Sequence, residues 1–584
     1  MLLRPKSLYT TIVFAITSTY SQANQVPNLP ELNRLDANQQ QRQTLHQQAQ
    51  HAQLQHQAEV RLETSHQQLS LSNNESPCYP IHNISLIDYD SNTQKSQFQW
   101  ALDKAVRDLK LTLPHCFGGE GLGILMKQVQ NNIIEKGYVT TRVVTEEQDL
   151  RGGKLVLTVI IGKVRNTIVA DSGNTPRFTK LNALTAFTFA KGDILNVRDI
   201  EQSLENLKRV PTVEANIEIL PSDDETASVG ESDLKISYAL AFPFRLNVSL
   251  DDSGSKSTGK WQGSATLSVD NLLSANDLFY ASFTHSIKQK GDDKGKRASK
   301  NLTLYYAIPF GYWNLAFSHN QSRYHQEVFG AFENSYIYAG ESANDKLTLS
   351  YLLYRDSVRK TTISASAWSR QSQNYIDGAE IDVQKRRMAG WEAGFSHKEY
   401  WGNSTLEFSA NYKRGTGARG QLQAPEELWG EGTSRPQIIS ASMSFNKPFM
   451  WGSQPWQFNS SWNAQWNKTP LIPQDRLSIG GRYTVRGFDG ELTLSGERGW
   501  LWRNELAWNL NGLGQQIYFA LDGGRVTGWA TRNQLGHHLM GTALGLRGYF
   551  KGISYDVFGG RPIRKPEGFK TSDAIAGFNL NYHF

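Results

Sequence analysis

The distribution of hydrophobic and polar positions divides the chain into three regions. Residues 24–74 are rich in Gln and His, and their leucines are too sparse to form one core-facing helical stripe. Residues 76–240 contain two short units in which strand-like and helical patterns follow one another. Residues 245–584 show no helical periodicity, but repeated segments of about ten residues alternate polar and apolar side chains, which is typical of transmembrane barrel strands.

The two short units are predicted to be α+β. In the first, residues 76–164, a strand around Ile84 is followed by helices at 98–109 and 121–136 and then by a hairpin. In the second, residues 165–240, Asn196 predicts the N-cap of a helix and Pro211 follows its end. Two further strands, at 215–220 and 234–240, are predicted to complete this unit.

The last region predicts a transmembrane β-barrel of about 16 antiparallel strands. Its final segment places alternate residues, from Ala576 through Phe578 to Phe584, on one face. Fourteen of the 15 tryptophans follow Ala241, a distribution that fits aromatic girdles at two membrane interfaces. Short turns, predicted on the periplasmic side, alternate with long charged external loops such as 288–300 and 413–436.

Composition indicates an exported protein. Arg4 and Lys6 precede an apolar core at 8–16, and Ser21 and Ala23 are small residues suited to signal-peptidase cleavage, so residues 1–23 predict a signal peptide. No other segment approaches the roughly 18 apolar residues of a membrane helix. Because the mean hydropathy is −0.50, a membrane protein of this composition would have to span as a closed barrel.

The two cysteines and the net charge refine this picture. Cys78 and Cys116 make an even count in an exported chain, which favours one disulfide over the alternative of two unpaired thiols. The formal charge of +6 becomes +4 without the two basic residues of the leader. This excess is too small to indicate a nucleic-acid partner.

A glycine-rich stretch near the end of the chain carries the clearest motif. Residues 479–490 place four glycines around Arg486, which predicts a loop, and a strand-like pattern at 500–507 follows. Val485-Arg486-Gly487-Phe488 resembles the loop signature of outer-membrane translocases and insertases that join periplasmic POTRA modules to a β-barrel. The longer run 475–490 is similar to that of two-partner secretion transporters, which export haemolysins, adhesins and contact-dependent inhibition toxins.

The resemblance implies a domain organisation. It places a plug helix at 24–50, beginning near Pro27, and a linker at 51–75. It further implies POTRA modules at 76–164 and 165–240, followed by a barrel at 241–584. A terminal aromatic residue, Phe584, resembles an outer-membrane assembly signal.

The resemblance also implies a set of transport residues. In that family the sixth external loop folds back into the barrel, where its arginine pairs with the aspartate of a Phe-x-x-Asp-x-Gly strand motif. The corresponding pair here is Arg486 with Asp522, and the strand motif contains Phe519 and Gly524. The implied loop residues are Val485, Arg486, Gly487, Phe488, Asp489 and Gly490.

The implied function is export of one large partner protein across the outer membrane of a Gram-negative bacterium, without nucleotide hydrolysis. The POTRA modules would bind the partner's N-terminal secretion domain, the barrel would contact outer-membrane lipid, and barrel-assembly machinery would act during biogenesis. A monomer without cofactors or enzymatic activity is expected. The alternatives are an insertase for other barrel proteins, which shares the arginine loop, and a passive porin.

The sequence matches known catalytic and nucleotide-binding motifs only weakly. Residues 254–260 fit the first part of a phosphate-binding loop, but Trp261 stands where a Ser or Thr would hold magnesium. The segment lies between two predicted barrel strands, so we expect a hairpin loop. The sequence has no zinc-protease helix motif and no serine nucleophile elbow. The alternative of a barrel protease, whose active site would combine Asp and His residues at the outer rim of the barrel, stays open.

Overall fold

The computed structural model describes most of the chain. The residues described are 29–54, 58–62, 69–71, 75–171, 178–222, 225–289, 293, 295–329, 334–510 and 514–584. The predicted signal peptide, the start of the predicted plug and about half of the predicted linker lie outside these ranges. Among the residues described, no helix is both long enough and apolar enough to cross a membrane.

The first element is a polar helix, α1 (Leu29–Leu54). The sequence predicts a plug that ends at Gln50 and a linker from His51 onward, and the helix in the structure continues four residues further, to Leu54. Two contacts hold the extra turn: the His51 ring lies 2.5 Å from the hydroxyl of Tyr280, and Leu54 packs beside Leu278. These partners are distant in sequence, so composition gave no sign of them.

The first α+β unit follows α1. Its elements are β1 (Tyr79–Ile81), β2 (Asn83–Asp88), β3 (Ser91–Lys95), α2 (Gln99–Asp108), β4 (His115–Phe117), α3 (Gly119–Glu135), β5 (Arg142–Val144) and β6 (Lys154–Ile160). The main sheet has the order β3-β2-β6-β5, and β1 pairs with β4. Helices α2 and α3 bury Leu102 and Leu125 against this sheet. Cys78 and Cys116 form a disulfide that joins the start of β1 to β4.

The second unit contains β7 (Lys163–Asp171), α4 (Lys180–Ala186), α5 (Val197–Lys208), β8 (Val213–Pro221) and β9 (Glu231–Leu240). Its sheet has the order β7-β9-β8. The side chain of Asn196 accepts a hydrogen bond from the backbone N–H of Arg198 and caps α5. Strand β7 begins at Lys163, slightly before the predicted boundary at 165.

The rest of the chain forms a closed antiparallel barrel, as predicted. Its elements are β10 (Phe244–Asp251), β11 (Gln262–Asp270), β12 (Leu278–Ser286), β13 (Arg297–Phe310), β14 (Trp313–Phe329), β15 (Ser335–Arg355), β16 (Arg359–Ile376), β17 (Ala379–Glu380), β18 (Arg386–Trp401), β19 (Ser404–Thr416), β20 (Gln437–Trp451), β21 (Gln454–Asn467), β22 (Leu477–Ile479), β23 (Leu494–Gly496), β24 (Arg498–Leu510), β25 (Gln515–Thr527), β26 (His538–Phe550), β27 (Ile553–Arg564) and β28 (Ile575–His583). Within the described ranges, 16 long strands build the wall, and the short β17 extends one external hairpin.

The barrel closes where its last strand pairs with its first. Strands β28 and β10 are antiparallel neighbours, with Leu580 opposite Leu250. Phe584 lies just beyond β28, where its backbone N–H donates to the carbonyl of Leu246 at 2.9 Å and its side chain stays exposed. Residues 254–260 form a hairpin loop between β10 and β11, with a bridge between Ser255 and Gly259.

The connections alternate in length around the barrel. Two-residue turns join β13 to β14 and β18 to β19, whereas the link between β19 and β20 spans 417–436. Residues 468–497, between β21 and β24, form the sixth long connection and contain β22 and β23. We call this segment loop 6. It contains the glycine-rich motif.

Candidate transport lumen

Arg486 of loop 6 lies inside the barrel and contacts Asp522 through three hydrogen bonds. Its Nε donates to Oδ2 at 2.7 Å, its Nη2 donates to Oδ1 at 2.9 Å, and its backbone N–H donates to Oδ2 at 3.0 Å. Arg486 is 7% exposed and Asp522 is 1% exposed. The bidentate geometry suits a guanidinium facing a carboxylate, and its burial reduces screening by water.

A second carboxylate, on the neighbouring strand, also holds Arg486. Glu505 of β24 accepts from Nη1 of Arg486 at 2.7 Å. The other oxygen of Glu505 lies 2.7 Å from Nη2 of Arg547 on β26. Charged groups of both signs, from loop 6 and three adjacent strands, therefore meet here, which offsets the desolvation of each group.

Apolar side chains and one glycine fix the conformation of the motif. Val485 and Phe488 are buried together with Leu539 of the wall. Gly487 has φ of +99°, and a Cβ there would lie 2.4 Å from the carbonyl oxygen of Arg561. Only glycine fits this position without a shift of the loop, because a side chain would both strain the backbone and meet the wall.

The strand motif on β25 divides between the two faces of the wall. Phe519 is 50% exposed on the outer, lipid-facing side. Asp522 and Gly524, at positions of opposite parity, are buried on the lumen side. The absence of a side chain at Gly524 leaves room for Ile479 of loop 6, since a Cβ would lie 3.1 Å from Ile479 Cγ2.

Other contacts tie loop 6 to the seam between β28 and β10. Arg482 donates to Asp252, which follows β10, at 2.8 Å, and to the carbonyl of Phe578 on β28 at 3.3 Å. Asp489 accepts from the backbone N–H of Ser572 at 3.1 Å and from its hydroxyl at 3.0 Å. The loop thus bridges both sides of the closing strand pair.

The base of loop 6 has its own ionic anchor. Asp475 is buried and pairs with Arg370 of β16 and Lys413 of β19. The neighbouring Gln474 donates to Asp36 of α1 at 3.0 Å. This anchor lies on the far side of the lumen from Asp522, so loop 6 spans the barrel between two ionic contacts.

Helix α1 crosses the same lumen and is held mainly by polar contacts. Its hydrogen-bonded pairs with the wall and loop 6 are Asn33 with Gln384, Asp36 with Tyr324, Asn38 with Thr493, Gln39 with Thr258, Arg42 with the carbonyl of Gly490, His46 with Asp251, Gln50 with Ser264 and His51 with Tyr280. Leu32 adds an apolar contact with Tyr324 and Tyr338. A polar lumen thus accommodates a helix that has no apolar stripe.

Sequence reasoning missed several residues of this network. Glu505, Asp475 and Arg482 all lie in or beside the motif, but charged residues near a loop carry no sign of which distant strand they face. Their partners Arg547 and Arg370 lie on other strands, and Asp252 follows β10, more than 200 residues before Arg482. A search for inward-facing charges of opposite sign on each strand could have found Glu505 and Arg547, because barrel parity is readable from the sequence.

Comparisons with known proteins agree with this architecture. The family model described as "Haemolysin secretion/activation protein ShlB/FhaC/HecB" matches residues 230–548. A ShlB-type POTRA domain model matches 82–162, and a second POTRA domain model matches 163–221.

Relatives and a solved structure are similar over most of the chain. Outer membrane transporter CdiB-2 of Burkholderia pseudomallei (strain 1026b) is 33% identical over 521 residues, covering 87% of each protein. Outer membrane transporter CdiB of Dickeya dadantii (strain 3937) is 30% identical over 476 residues, which is 81% of this chain and 82% of that protein. The structure of CdiB from Acinetobacter baumannii superposes with a TM-score of 0.80 at 30% identity, covering 95% of this chain and 99% of that chain.

These findings confirm the predicted fold class and the two-partner secretion interpretation over the insertase and porin alternatives. They also confirm the predicted outer-membrane location with periplasmic POTRA domains. The family is a transporter family, and it is not known for enzymatic activity. The chain belongs to the haemolysin secretion/activation family of outer-membrane transporters that serve two-partner secretion.

Proposed function

We propose that this protein exports one large partner protein through its lumen, that α1 closes the lumen at rest, and that nucleotide hydrolysis plays no part. The observation that carries the proposal is the placement of a polar helix and loop 6 together inside the barrel. Both obstruct the path of a translocating chain. Because α1 is held by hydrogen bonds rather than by a large apolar surface, water can replace its contacts when it leaves.

The POTRA domains would capture the partner by its N-terminal secretion domain while that domain is extended. The three-stranded sheet of the second POTRA domain has the order β7-β9-β8, so β7 and β8 are its edges. An added strand pairs through backbone groups, which tolerates varied sequence. The partner would be a haemolysin, an adhesin or a contact-dependent inhibition toxin. The barrel-assembly machinery would insert the transporter, with Phe584 as part of the signal.

Arg486 and Asp522 would hold loop 6 in the position that transport requires. The pair links the tip of loop 6 to the wall, while Asp475 links its base to the opposite side. Folding of the partner outside the cell would give the movement its direction. On this proposal the residues 485–490 act in transport, and barrel closure depends on the strand pairing of β28 with β10.

Deletion of residues 27–50 tests the role of α1. We expect the deletion variant to show stable ion conductance in planar bilayers, whereas the full-length protein stays mostly closed. The control is the Arg34→Ala variant, which changes an exposed residue of α1. Single-channel currents that are the same with and without residues 27–50 would contradict the closure role.

A secretion assay tests the export function directly. The transporter is expressed with a long exported protein that carries an N-terminal secretion domain, and this partner is measured in the medium. Export that requires the transporter supports the proposal, and export at equal levels without the transporter would overturn it.

A further inference from the structure

Six basic side chains lie on the outer surface of the barrel, at the external ends of neighbouring strands and in the connection between β19 and β20. We call this connection, residues 417–436, loop 5, and we call the six residues the basic belt. The members of the basic belt are Arg387, Arg414, Arg419, Arg435, Lys468 and Arg498. Arg387 is partly buried and the other five are exposed. The basic belt therefore presents positive charge to the surroundings of the barrel.

Strand parity places the basic belt on the lipid-facing surface. Arg387 has the parity of Trp391 on β18, whose side chain is 41% exposed, and Arg414 lies directly opposite Trp391 on β19. Side chains that lie opposite one another in an antiparallel pair share a face of the sheet. Arg498 has the parity of Trp502 on β24, which is 51% exposed. These three arginines therefore point away from the lumen.

The first part of loop 5 folds over the same surface. Nη1 of Arg419 donates to Oγ of Ser369 on β16 at 3.3 Å, and Ser369 has the parity of the lipid-facing Ile363. Arg387 lies beside this part of loop 5, because a Cβ at Gly420 would lie 3.6 Å from its Nη1. Two arginines of the basic belt therefore meet at one turn.

The remaining members extend the basic belt around the barrel. Nε of Arg435 donates to Oε1 of Gln421 at 3.2 Å, which brings the end of loop 5 back to the same turn. Lys468 follows the last residue of β21, Asn467. The side chain of Asn467 accepts from Nε of Arg498 at 2.7 Å. The basic belt thus extends from β18 to the start of β24.

Among the residues that the structure describes, no acidic side chain forms an ion pair with the basic belt. On the lumen side, by contrast, Arg370 and Lys413 both pair with Asp475. Asp345 lies on the outer surface, but it accepts from Ser369 at 3.0 Å and lies 2.7 Å from the ring nitrogen of His319. The basic belt therefore retains N–H donors for an external anion.

Aromatic side chains indicate the depth of the basic belt in the membrane. The rings of Tyr412 and Trp391 meet edge to face with their centroids 5.5 Å apart, and Nζ of Lys468 lies 5.6 Å from the ring centroid of Tyr412. Outward-facing aromatic residues near the ends of barrel strands lie at the boundary between hydrocarbon and headgroups. Because these strand ends lead to external loops, the basic belt lies among the headgroups of the outer leaflet.

The headgroups of that leaflet have a chemistry that complements the basic belt. The outer leaflet of a Gram-negative outer membrane consists mainly of lipopolysaccharide, whose lipid A carries phosphate groups on a disaccharide. Arg binds phosphate through paired N–H donors, and Lys binds it as a point charge. A lipid A molecule beside the barrel would place its acyl chains against the apolar wall and its phosphates against the basic belt.

We propose that the basic belt binds the phosphate groups of lipid A in the outer leaflet and that the bound lipid holds loop 5 against the barrel. A later part of loop 5 packs on the base of loop 6, where Ala424 lies beside Ile472 and Arg476 donates to the carbonyl of Glu431 at 3.5 Å. Lipid on the outer surface thus contacts the loop that covers the base of loop 6. The proposal depends on the outer-membrane location and is independent of the export function proposed above.

Binding of fluorescent diphosphoryl lipid A to the purified full-length protein in detergent tests the basic belt. Arg419→Gln with Arg435→Gln removes two positive charges from exposed positions of loop 5, and we expect binding at least about tenfold weaker than that of the wild-type protein. The matched control is Lys447→Gln with Lys551→Gln, which removes the same charge from exposed positions at the periplasmic end of the barrel. This control should bind lipid A as the wild-type protein does.

Three further ligands separate phosphate recognition from other contacts on the wild-type protein. Dephosphorylated lipid A keeps the acyl chains, and we expect it to bind at least about tenfold more weakly. Phosphatidylglycerol, an anionic lipid with a single phosphate, should also bind more weakly than lipid A. Inorganic phosphate should displace the fluorescent lipid far less effectively than unlabelled lipid A does, because it lacks the acyl chains that contact the wall.

Equal binding of phosphorylated and dephosphorylated lipid A would overturn the proposal, as would equal affinities of the two double variants. Phosphatidylglycerol that binds as tightly as lipid A would overturn the assignment to lipid A, and so would inorganic phosphate that displaces it equally well. The ligand comparisons use the wild-type chain, so they decide the matter even if the loop 5 variant does not fold.

Trypsin cleavage of the wild-type protein tests the effect on loop 5. Lipid A should slow cleavage after Arg419, which is exposed in loop 5, and dephosphorylated lipid A should not. Cleavage after Lys551, in a periplasmic turn, is the internal control and should be unchanged. A rate of cleavage after Arg419 that is the same with and without saturating lipid A would refute the claim that the lipid holds this loop.

Discussion

The charge pattern around Arg486 connects one loop residue to two adjacent strands of the lumen wall. Asp522 and Glu505 both bind its guanidinium, and Arg503 lies 3.8 Å from Asp522 on the opposite side. Without Arg486, the carboxylates of Asp522 and Glu505 lie near one another with less positive charge to offset their repulsion. Removal of one partner from a buried pair costs on the order of 3–5 kcal/mol, and a water-filled lumen reduces that figure.

Arg486→Ala should release loop 6 without opening the barrel. We expect the variant to reach the outer membrane, to keep the heat-modifiable mobility of a folded barrel on gels, and to secrete its partner poorly. Arg525→Ala is the control, because Arg525 is exposed on the same strand as Asp522. An Arg486→Ala variant that secretes at the normal rate would refute the role proposed for the pair.

Gly487 provides a second test at the residue scale. Gly487→Ala places a Cβ 2.4 Å from a backbone oxygen of the wall at a positive φ, and the backbone strain alone costs about 1–2 kcal/mol. We expect reduced secretion and faster proteolysis of loop 6. Gly481→Ala is the matched control, since its Cβ would lie 3.5 Å from the nearest atom. Similar behaviour of the two variants would show that loop 6 tolerates displacement.

The motif in the sequence led to Arg486 and Asp522, and the structure places them in contact. It did not lead to Glu505, although that residue lies within the strand-like run after the loop. A motif records which residues recur together, whereas Glu505 and Arg547 meet only through the register of β24, β25 and β26. Register depends on the closed barrel and is weakly encoded in any single strand.

Helix α1 is the element that sequence analysis described least well. Its polar composition alone favours a solvated or disordered segment, because no apolar stripe is available to bury. The lumen supplies polar partners along the length of the helix instead, and the hydrogen bonds extend from Asn33 to His51. The end of the helix could not be located, since the residues that hold it belong to β12 and β13.

Asp36 makes the most buried polar contact of α1. Tyr324 and Gln474 donate to its two oxygens at 2.8 and 3.0 Å, and Asp36 is 1% exposed. Hydrogen bonds to a charged group contribute about 1.5–3 kcal/mol each. Asp36→Ala should therefore raise the open probability of single channels by about tenfold or more.

The control for that measurement is again Arg34→Ala, on the exposed side of the same helix. Both variants keep the helix length and the linker, so a difference between them reports the contact rather than the loss of the plug. An open probability that is unchanged by Asp36→Ala would show that the contacts of α1 elsewhere in the lumen suffice to keep it in place.

At the scale of the whole molecule, the alternating barrel pattern and the two α+β units were predictable, because each follows from local periodicity. The arrangement of the parts was not. The contacts between the second POTRA domain and the barrel, such as Arg355 with Glu201 and Arg209 with Asn314, join residues more than a hundred positions apart. No pattern along the sequence identifies such a pair, because each contact depends on the tertiary structure of both domains.

The disulfide gives a prediction for the first POTRA domain. Cys78 and Cys116 are 38 positions apart, and a cross-link of that span stabilises a folded unit by about 4 kcal/mol in the chain-entropy estimate. Cys78→Ser with Cys116→Ser should make this domain sensitive to limited proteolysis while the barrel keeps its heat-modifiable mobility. Equal resistance of both proteins at the first POTRA domain would show that its apolar core alone maintains it.

The direction of α1 determines how the channel can be reused. Its first turns lie beside Tyr324 and Tyr338, and its last turn lies beside Tyr280, near the periplasmic turns. The chain continues from the periplasmic end of α1 toward the first POTRA domain, and the first turns of α1 contact the wall through noncovalent contacts such as Asn33 with Gln384. On the proposed function, α1 would leave the lumen and return without threading a loop or separating a strand pair. One transporter would then be closed again after each export event.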